Sequence, residues 1–244
     1  MILRHPRRFL FFSCLSVALW FLFEAFNLRL ENWSYANLPE HTGLRWMGYI
    51  LAFATVLPGL METADLLDTA GFLKGWHVRP LGRRQPVAGV FLVVGIVMVV
   101  LPLLWPTLFF PLIWGAFFFL LEPLNERLGA PSVLADWRTG TLRRAGLLLL
   151  SGFLCGVFWE WWNSFSGARW TYSVPGLEDV RIFEMPVLGY LGFPPFALEV
   201  FAGSALAVTL WEKSPRSVRA LLVLGLTVFS LGMCWVLDRF TVAP

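Results

Sequence analysis

The sequence predicts an all-α polytopic membrane protein, a bundle of seven transmembrane helices with its N-terminus inside. Hydrophobic residues make up 57% of the 244 residues and charged residues only 14%, whereas a soluble domain has about 25% charged residues. Seven apolar runs each approach the roughly 20 residues that cross a bilayer core. Lysine and arginine are concentrated in alternate loops, as in polytopic proteins that obey the positive-inside rule. These observations predict a single integral membrane domain, residues 1–244.

Each predicted helix is an apolar run bounded by polar, glycine or proline residues. In chain order the helices are 9–28, 44–67, 87–104, 107–124, 145–165, 187–211 and 220–237. Three prolines within residues 102–111 predict a tight turn between the third and fourth helices, because proline favours turns and helix starts. Gly192, Pro194 and Pro195 predict a break or kink in the sixth helix.

The basic residues predict the orientation of the chain. With the N-terminus inside, 14 arginines and lysines fall in inside segments and 5 in outside segments. The inside residues are Arg4, Arg7, Arg8, Lys74, Arg79, Arg83, Arg84, Arg127, Arg138, Arg143, Arg144, Lys213, Arg216 and Arg219. No small-residue cleavage pattern follows the N-terminal arginines, so we expect an uncleaved first helix. The membrane we expect is the cytoplasmic membrane of a bacterium.

The two halves of the chain share a series of polar and aromatic residues. The first half has Glu24, Asn27, Trp33, Tyr35, Pro58 and Glu62, and the second has Glu160, Asn163, Trp170, Tyr172, Pro195 and Glu199. In both halves an E-x-x-N sequence precedes a W-x-Y sequence. The tryptophan of W-x-Y lies 29 positions before the last glutamate of its half, as Trp33 does before Glu62 and Trp170 before Glu199. The pattern predicts a parallel 3+1+3 duplication: repeat A 9–104, linker helix 107–124 and repeat B 145–237. Substrate sites of duplicated membrane proteins tend to lie at the repeat interface.

Glutamates within or beside the spans are the candidates for chemistry, because a carboxylate in an apolar span is costly and usually functional. The predicted catalytic residues are Glu24, Glu62, Glu160 and Glu199, and Glu199 is favoured because it follows the expected helix break. Three glutamates have an asparagine three residues later on the same helix face: Glu24 with Asn27, Glu122 with Asn125 and Glu160 with Asn163. The amide can pair with the carboxyl group. Alternatively, such polar pairs join helices without taking part in chemistry.

Aromatic and amide side chains supply the predicted substrate-binding residues. These are Asn27, Asn163, Trp33, Tyr35, Trp170, Tyr172, Trp159 and Trp162. The aromatic run at residues 158–165 surrounds Glu160 and would suit an apolar pocket that stabilises cationic intermediates. An interfacial aromatic belt is the alternative interpretation.

Metal and nucleic-acid sites are not predicted, and no cofactor or oligomeric state can be identified. The three histidines lack the spacing of zinc ligands. The E-x-x-D-x-x-D run at residues 62–68 is more typical of a solvated helix end than of a cation site. The three cysteines lie in apolar runs and are expected to be free thiols. The basic residues are confined to loops, so topology explains them better than nucleic-acid binding does.

A W-x-Y segment followed by a helix with proline and glutamate, within a 3+1+3 arrangement, resembles the membrane-integral lycopene cyclases of carotenoid synthesis. The matching stretch is 170–199, with a weaker copy at 33–62. In that family a carboxylate of a P-x-E-E-type motif is proposed to protonate the end of a polyene. This chain has no P-x-E-E sequence, and Pro195 to Glu199 is a partial match. The resemblance implies an isoprenoid or other lipid substrate and acid/base chemistry by carboxylates.

Two other functions remain open. A duplicated 3+1+3 fold also suits a small-solute transporter in which acidic residues couple proton movement. A non-catalytic membrane assembly or lipid-binding protein would use the polar pairs only to join helices.

Overall fold

The computed structural model describes residues 5–82, 87–174 and 180–242. The α-helices in these residues are α1 Pro6–Leu30, α2 Thr42–Ala54, α3 Val56–Thr69, α4 Val87–Leu104, α5 Pro106–Phe109, α6 Ala116–Leu128, α7 Val133–Arg138, α8 Arg143–Phe165, α9 Phe193–Lys213 and α10 Arg216–Phe240. Short strands are β1 Trp33–Ala36, β2 Arg169–Tyr172, β3 Arg181–Ile182 and β4 Met185–Pro186. Two 3₁₀ turns, Phe110–Ile113 and Val187–Gly192, precede α6 and α9.

Seven helical segments of the described chain are long and apolar enough to cross a membrane. They are Pro6–Leu30, Thr42–Thr69, Val87–Leu104, Pro106–Leu128, Arg143–Phe165, Val187–Lys213 and Arg216–Phe240. Each end lies within four residues of the predicted one. The all-α fold class and the seven spans are therefore confirmed, and the chain is an integral membrane protein. The duplication and the inside N-terminus stay predictions, and Arg4, Arg83 and Arg84 lie outside the described residues.

The second span is broken where a continuous helix was expected. It consists of α2 and α3, which are separated by Thr55. Pro58 lies in the first turn of α3, where its missing N–H is tolerated and its fixed φ favours a helix start. Buried Ser16 of α1 bridges the break, because its Oγ donates to the Phe53 carbonyl at 2.5 Å and accepts from the Leu57 N–H at 2.9 Å.

The sixth span is broken as predicted. A 3₁₀ turn, Val187–Gly192, leads into α9, which begins at Phe193. Pro194 and Pro195 occupy the first turn of α9, where the backbone N–H groups have no partner within the helix.

The chain forms two compact units, and each contains segments of both predicted repeats. The first unit comprises Met1–Gly59, Gly156–Tyr190 and Ser214–Pro244, and the second comprises Leu60–Cys155 and Leu191–Lys213. In the first unit, α1 packs against α2 and α10. In the second, α6 packs against both α4 and α9, around a core that includes Phe118 and Ala202.

A two-stranded antiparallel ribbon forms in the first unit, at positions where the sequence indicated only loops. Its register places opposite each other Trp33 and Tyr172, Ser34 and Thr171, and Tyr35 and Trp170. Alternate residues of a strand point to the same face, and directly opposed residues share a face. The four aromatic side chains therefore lie on one face, and the hydroxyl oxygens of Ser34 and Thr171 meet at 3.2 Å on the other. Aromatic and β-branched residues favour strands, which is the signal that this loop assignment missed.

Candidate functional site

Glu24 lies near the C-terminal end of α1 and is fully buried. Its Oε1 accepts hydrogen bonds from the indole N–H of Trp20 at 2.8 Å, from the indole N–H of Trp33 at 3.0 Å and from the phenol of Tyr35. Trp20 is one turn earlier on α1, and the other two donors are in β1, which folds back over the helix end. We call Trp20, Glu24, Asn27, Trp33 and Tyr35 the Glu24 cluster.

Asn27 joins the end of α1 to the start of β1. Its Nδ2 donates to the Trp33 carbonyl at 2.7 Å, and its Oδ1 accepts from the backbone N–H groups of Asn32 and Trp33 at 2.9 and 3.3 Å. Glu31 follows the last residue of the helix and caps it, with a positive φ of 54° and an N–H that donates to the Asn27 carbonyl. Asn27 therefore positions the strand that carries the donors to Glu24.

Glu160 of α8 has the corresponding contacts with β2. Its Oε1 accepts from the indole N–H of Trp170 at 3.1 Å and from the phenol of Tyr172 at 2.7 Å. Asn163 Nδ2 donates to the Trp170 carbonyl at 2.8 Å, and its Oδ1 accepts from the Trp170 N–H at 2.9 Å. Glu160, Asn163, Trp170 and Tyr172 form the Glu160 cluster. The two E-x-x-N and W-x-Y segments thus make the same kinds of hydrogen bonds.

These contacts correct the expected pairing of each glutamate with its asparagine. Asn27 and Asn163 bind the backbone of the strands, and Asn125 donates from Nδ2 to the Ala202 carbonyl at 2.9 Å. Backbone groups beyond a helix end have no partner within the helix. A short amide side chain in the last turns can reach those groups.

The ribbon brings the two clusters to one surface. Trp33 and Tyr35 bind Glu24, Trp170 and Tyr172 bind Glu160, and all four aromatic residues share a face. Both glutamates are therefore bound to the same aromatic face within the first unit. The predicted site residues brought together in this way are Glu24, Asn27, Trp33, Tyr35, Glu160, Asn163, Trp170 and Tyr172.

Each of the four buried glutamates, Glu24, Glu122, Glu160 and Glu199, has one carboxyl oxygen without a hydrogen-bond partner among the described residues. Oε2 of Glu24 and Oε2 of Glu160 are buried and have no hydrogen-bond partner among the described residues. Leaving a buried polar atom unpaired is costly. The arrangement suits a carboxyl proton on Oε2 or contact of Oε2 with a polar ligand.

The two tyrosines act as hydrogen-bond donors. Burial, and then the neighbouring glutamate, raises the pKa of Tyr35 and the pKa of Tyr172 well above the ordinary value for a phenol. Both phenols consequently keep their protons at neutral pH and can donate to the glutamates.

The Glu160 cluster is the more open of the two. Trp33 and Tyr35 are buried, each with 7% of its surface exposed, whereas Trp170 and Tyr172 are half-buried. Four residues before Glu160 the chain has Gly156, in the position that Trp20 has relative to Glu24. The Glu160 carboxyl group therefore has two aromatic donors where Glu24 has three.

Glu199, the candidate that the sequence favoured most, belongs to the second unit. Its Oε2 accepts the backbone N–H of Phe117 at 3.1 Å, in the first turn of α6. The residue before α6 is Gly115, which has no side chain to cap the helix. A carboxylate at a helix N-terminus satisfies free N–H groups and complements the helix dipole. This contact gives Glu199 a capping role, and its catalytic role stays a prediction.

Glu122 also caps a helix in the second unit. Its Oε2 accepts from the Ser132 hydroxyl at 2.7 Å and from the Leu134 N–H at 2.9 Å, at the start of α7. Glu62 lies on α3, also in the second unit, and is half-buried. Asp68 forms an ion pair with Arg143. The described part of the chain contains no group of three or more histidine, cysteine, aspartate or glutamate side chains arranged to hold a metal ion.

The aromatic run at 158–165 does not form a pocket around Glu160. Trp162 is 56% exposed and Trp161 and Phe165 are also exposed, whereas Glu160 is fully buried. Residues two apart on a helix point to different sides, so Trp162 lies away from the carboxyl group. Trp159 is half-buried. The exposed rings form an aromatic surface at the end of α8, as an interfacial belt does.

An ion pair that was not predicted from the sequence adjoins the Glu24 cluster. Asp238, in the last turn of α10, accepts two hydrogen bonds of 2.8 Å from the Arg45 guanidinium. It also accepts from the Trp46 indole at 2.9 Å and from the Tyr49 phenol at 3.0 Å. The Tyr49 ring lies 5.9 Å from that of Tyr35. The predicted seventh helix ended one residue before Asp238, so this carboxylate was not considered.

Comparisons with known proteins found no family model, curated protein or solved structure that matches the chain.

Proposed function

We propose that the chain is a membrane-embedded enzyme that protonates an isoprenoid or other apolar lipid, with Glu160 as the acid. One observation carries the proposal. Glu160 is fully buried, its Oε1 is held by Trp170 and Tyr172, and its Oε2 has no partner among the described residues. A carboxyl group fixed by one oxygen and unpaired at the other is arranged to transfer a proton from the second oxygen.

The proposed chemistry needs no oxidant, reductant or metal. The proton on Glu160 Oε2 adds to one carbon of a C=C bond, which forms a C–H bond and a carbocation. Loss of a proton from a neighbouring carbon to the Glu160 carboxylate restores a C=C bond and the acid. The net reaction is an isomerisation or a cyclisation, depending on whether the cation first reacts with another double bond.

The aromatic side chains have a separate task in this reaction. Trp170 and Tyr172 are half-buried and each donates a hydrogen bond to the acid, and aromatic faces stabilise cations. Asn163 anchors the strand that carries both rings through its two hydrogen bonds with the Trp170 backbone. This chemistry agrees with that implied by the resemblance to membrane-integral lycopene cyclases. The membrane we propose is a bacterial cytoplasmic membrane, with the N-terminus inside.

The test compares the lipids of host cells that express the wild type, Glu160→Gln or Glu24→Gln at equal levels. Glutamine keeps an oxygen that accepts from the indole and the phenol, but it carries no transferable proton. We expect untargeted lipid mass spectrometry to detect a product in wild-type cells that Glu160→Gln abolishes and Glu24→Gln retains.

An unchanged lipid profile across all three strains would contradict the enzymatic proposal. Solute uptake into proteoliposomes would then test the transporter alternative, and absence of uptake would favour a non-catalytic assembly or lipid-binding protein.

A further inference from the structure

The hairpin formed by β3 and β4 presents exposed apolar side chains beside a membrane span, at its tip and, at Val180, at its base, where the Val180 carbonyl accepts from the Val187 N–H at 3.0 Å. Val180, Ile182 and Phe183 are 68%, 51% and 42% exposed. Leu188, in the 3₁₀ turn that follows, is 56% exposed. Adjoining exposed apolar side chains mark an interaction surface more often than isolated ones do.

Phe183 occupies a strained backbone position at this tip. Ile182 pairs with Met185, so Phe183 and Glu184 form the turn. The φ angle of Phe183 is +57°, in the left-handed region that turns usually give to glycine or asparagine. A bulky residue in that region is uncommon and indicates a functional constraint.

The opposite side of the hairpin is fixed to the protein. Met185, Pro186 and Tyr190 are buried, and the Tyr190 phenol donates to the Ile182 carbonyl at 2.9 Å. Glu184, the acidic residue of the turn, pairs with Arg169 at 3.2 Å. The hairpin is therefore anchored on one side, and its acidic group is drawn towards β2, away from the apolar tip.

The neighbouring span limits how far this tip can lie from the bilayer. The span Val187–Lys213 starts four residues after Phe183, and four residues extend at most about 14 Å. The exposed rings of Trp161, Trp162 and Phe165 end the preceding span. The lipid interface is therefore the surface within reach of the tip.

We propose that the exposed apolar side chains of this hairpin, Ile182 and Phe183 at its tip and Val180 at its base, insert into the lipid interface of the membrane that the chain spans. The partner is the boundary between lipid headgroups and acyl chains, which accepts apolar and aromatic side chains. The inference does not depend on the proposed enzymatic function.

Spin labelling of the reconstituted full-length protein tests the insertion. Cys14→Ala removes the exposed cysteine and leaves the two buried ones. A nitroxide is then attached at Phe183→Cys, on the tip, or at Val180→Cys, at the base of the hairpin. Glu40→Cys, an exposed polar site in another loop, is the matched control. We expect the ratio of accessibility to oxygen over a water-soluble nickel chelate to be severalfold higher at 183 and 180 than at 40. Equal ratios at the three positions would overturn the proposal.

Discussion

The Glu24 and Glu160 clusters have the same kinds of donor in the same order, but they differ in how closely they are packed. Glu24 accepts from two indoles and a phenol, and Trp33 and Tyr35 of its cluster are buried. Glu160 accepts from one indole and one phenol, and the aromatic rings of its cluster are half-buried. The shared bonds hold β1 and β2 onto the ends of α1 and α8. The difference leaves the Glu160 cluster as the one that a ligand reaches more easily.

This difference leads us to assign stability mainly to the Glu24 cluster and chemistry to the Glu160 cluster. The three donors to Glu24 contribute mainly to stability, because without Glu24 the buried Trp33 and Tyr35 and the half-buried Trp20 would all lose their hydrogen-bond partner. The donors to Glu160 are half-buried, so losing this glutamate should cost less stability. A substrate can also reach these donors more easily.

Removing the carboxyl groups should give the largest effect and separate the two clusters. We expect Glu24→Ala to lower the free energy of unfolding by about 4 kcal/mol, because it leaves three donors unpaired, each costing about 1–3 kcal/mol. Glu160→Ala should cost about 2 kcal/mol, because it leaves two donors that are only half-buried. SDS titration of the protein in mixed micelles measures both values.

The glutamine variants are the matched controls for this measurement. Glu24→Gln and Glu160→Gln retain an acceptor oxygen, so each should lose less than about 1 kcal/mol. Equal losses for the two alanine variants would contradict the assignment of stability mainly to the Glu24 cluster.

The asparagines should give an intermediate effect. Asn27→Ala removes three hydrogen bonds and Asn163→Ala removes two. Since one hydrogen bond contributes about 1 kcal/mol, we expect losses of about 3 and about 2 kcal/mol. The same SDS titration applies. A larger loss for Asn163→Ala would show that the more open cluster depends more on its strand anchor than the closed one does.

The features that could be predicted from the sequence are those that depend on residues close together along the chain. An apolar run of about 20 residues identifies a span by itself, and the E-x-x-N and W-x-Y patterns identified both clusters. The pairing of Ser34 with Thr171 joins residues 137 positions apart, and no local pattern specifies such a partner. The cap that Glu199 forms on α6 and the ion pair of Arg45 with Asp238 were missed for the same reason.

Trp20 is a different omission, because a local signal was present. It lies four residues before Glu24 on α1, and residues four apart share a helix face. An indole N–H in an apolar helix usually has a hydrogen-bond partner. The Trp20 indole was therefore a foreseeable donor to Glu24, and it was overlooked.

Replacing Trp20 should give the smallest effect and test whether the third donor distinguishes the clusters. Trp20→Phe removes one indole N–H and leaves Glu24 with one indole and one phenol, as Glu160 has. The new ring can still contact Phe53, whose centroid is 5.8 Å from that of Trp20. We expect SDS titration to show a loss of about 1 kcal/mol. Trp162→Phe, at an exposed position, is the control and should change stability by less than about 0.5 kcal/mol. A loss for Trp20→Phe as large as that for Glu24→Ala would show that Trp20 supports the cluster by packing. The count of donors would then not explain why the Glu24 cluster is the more stable one.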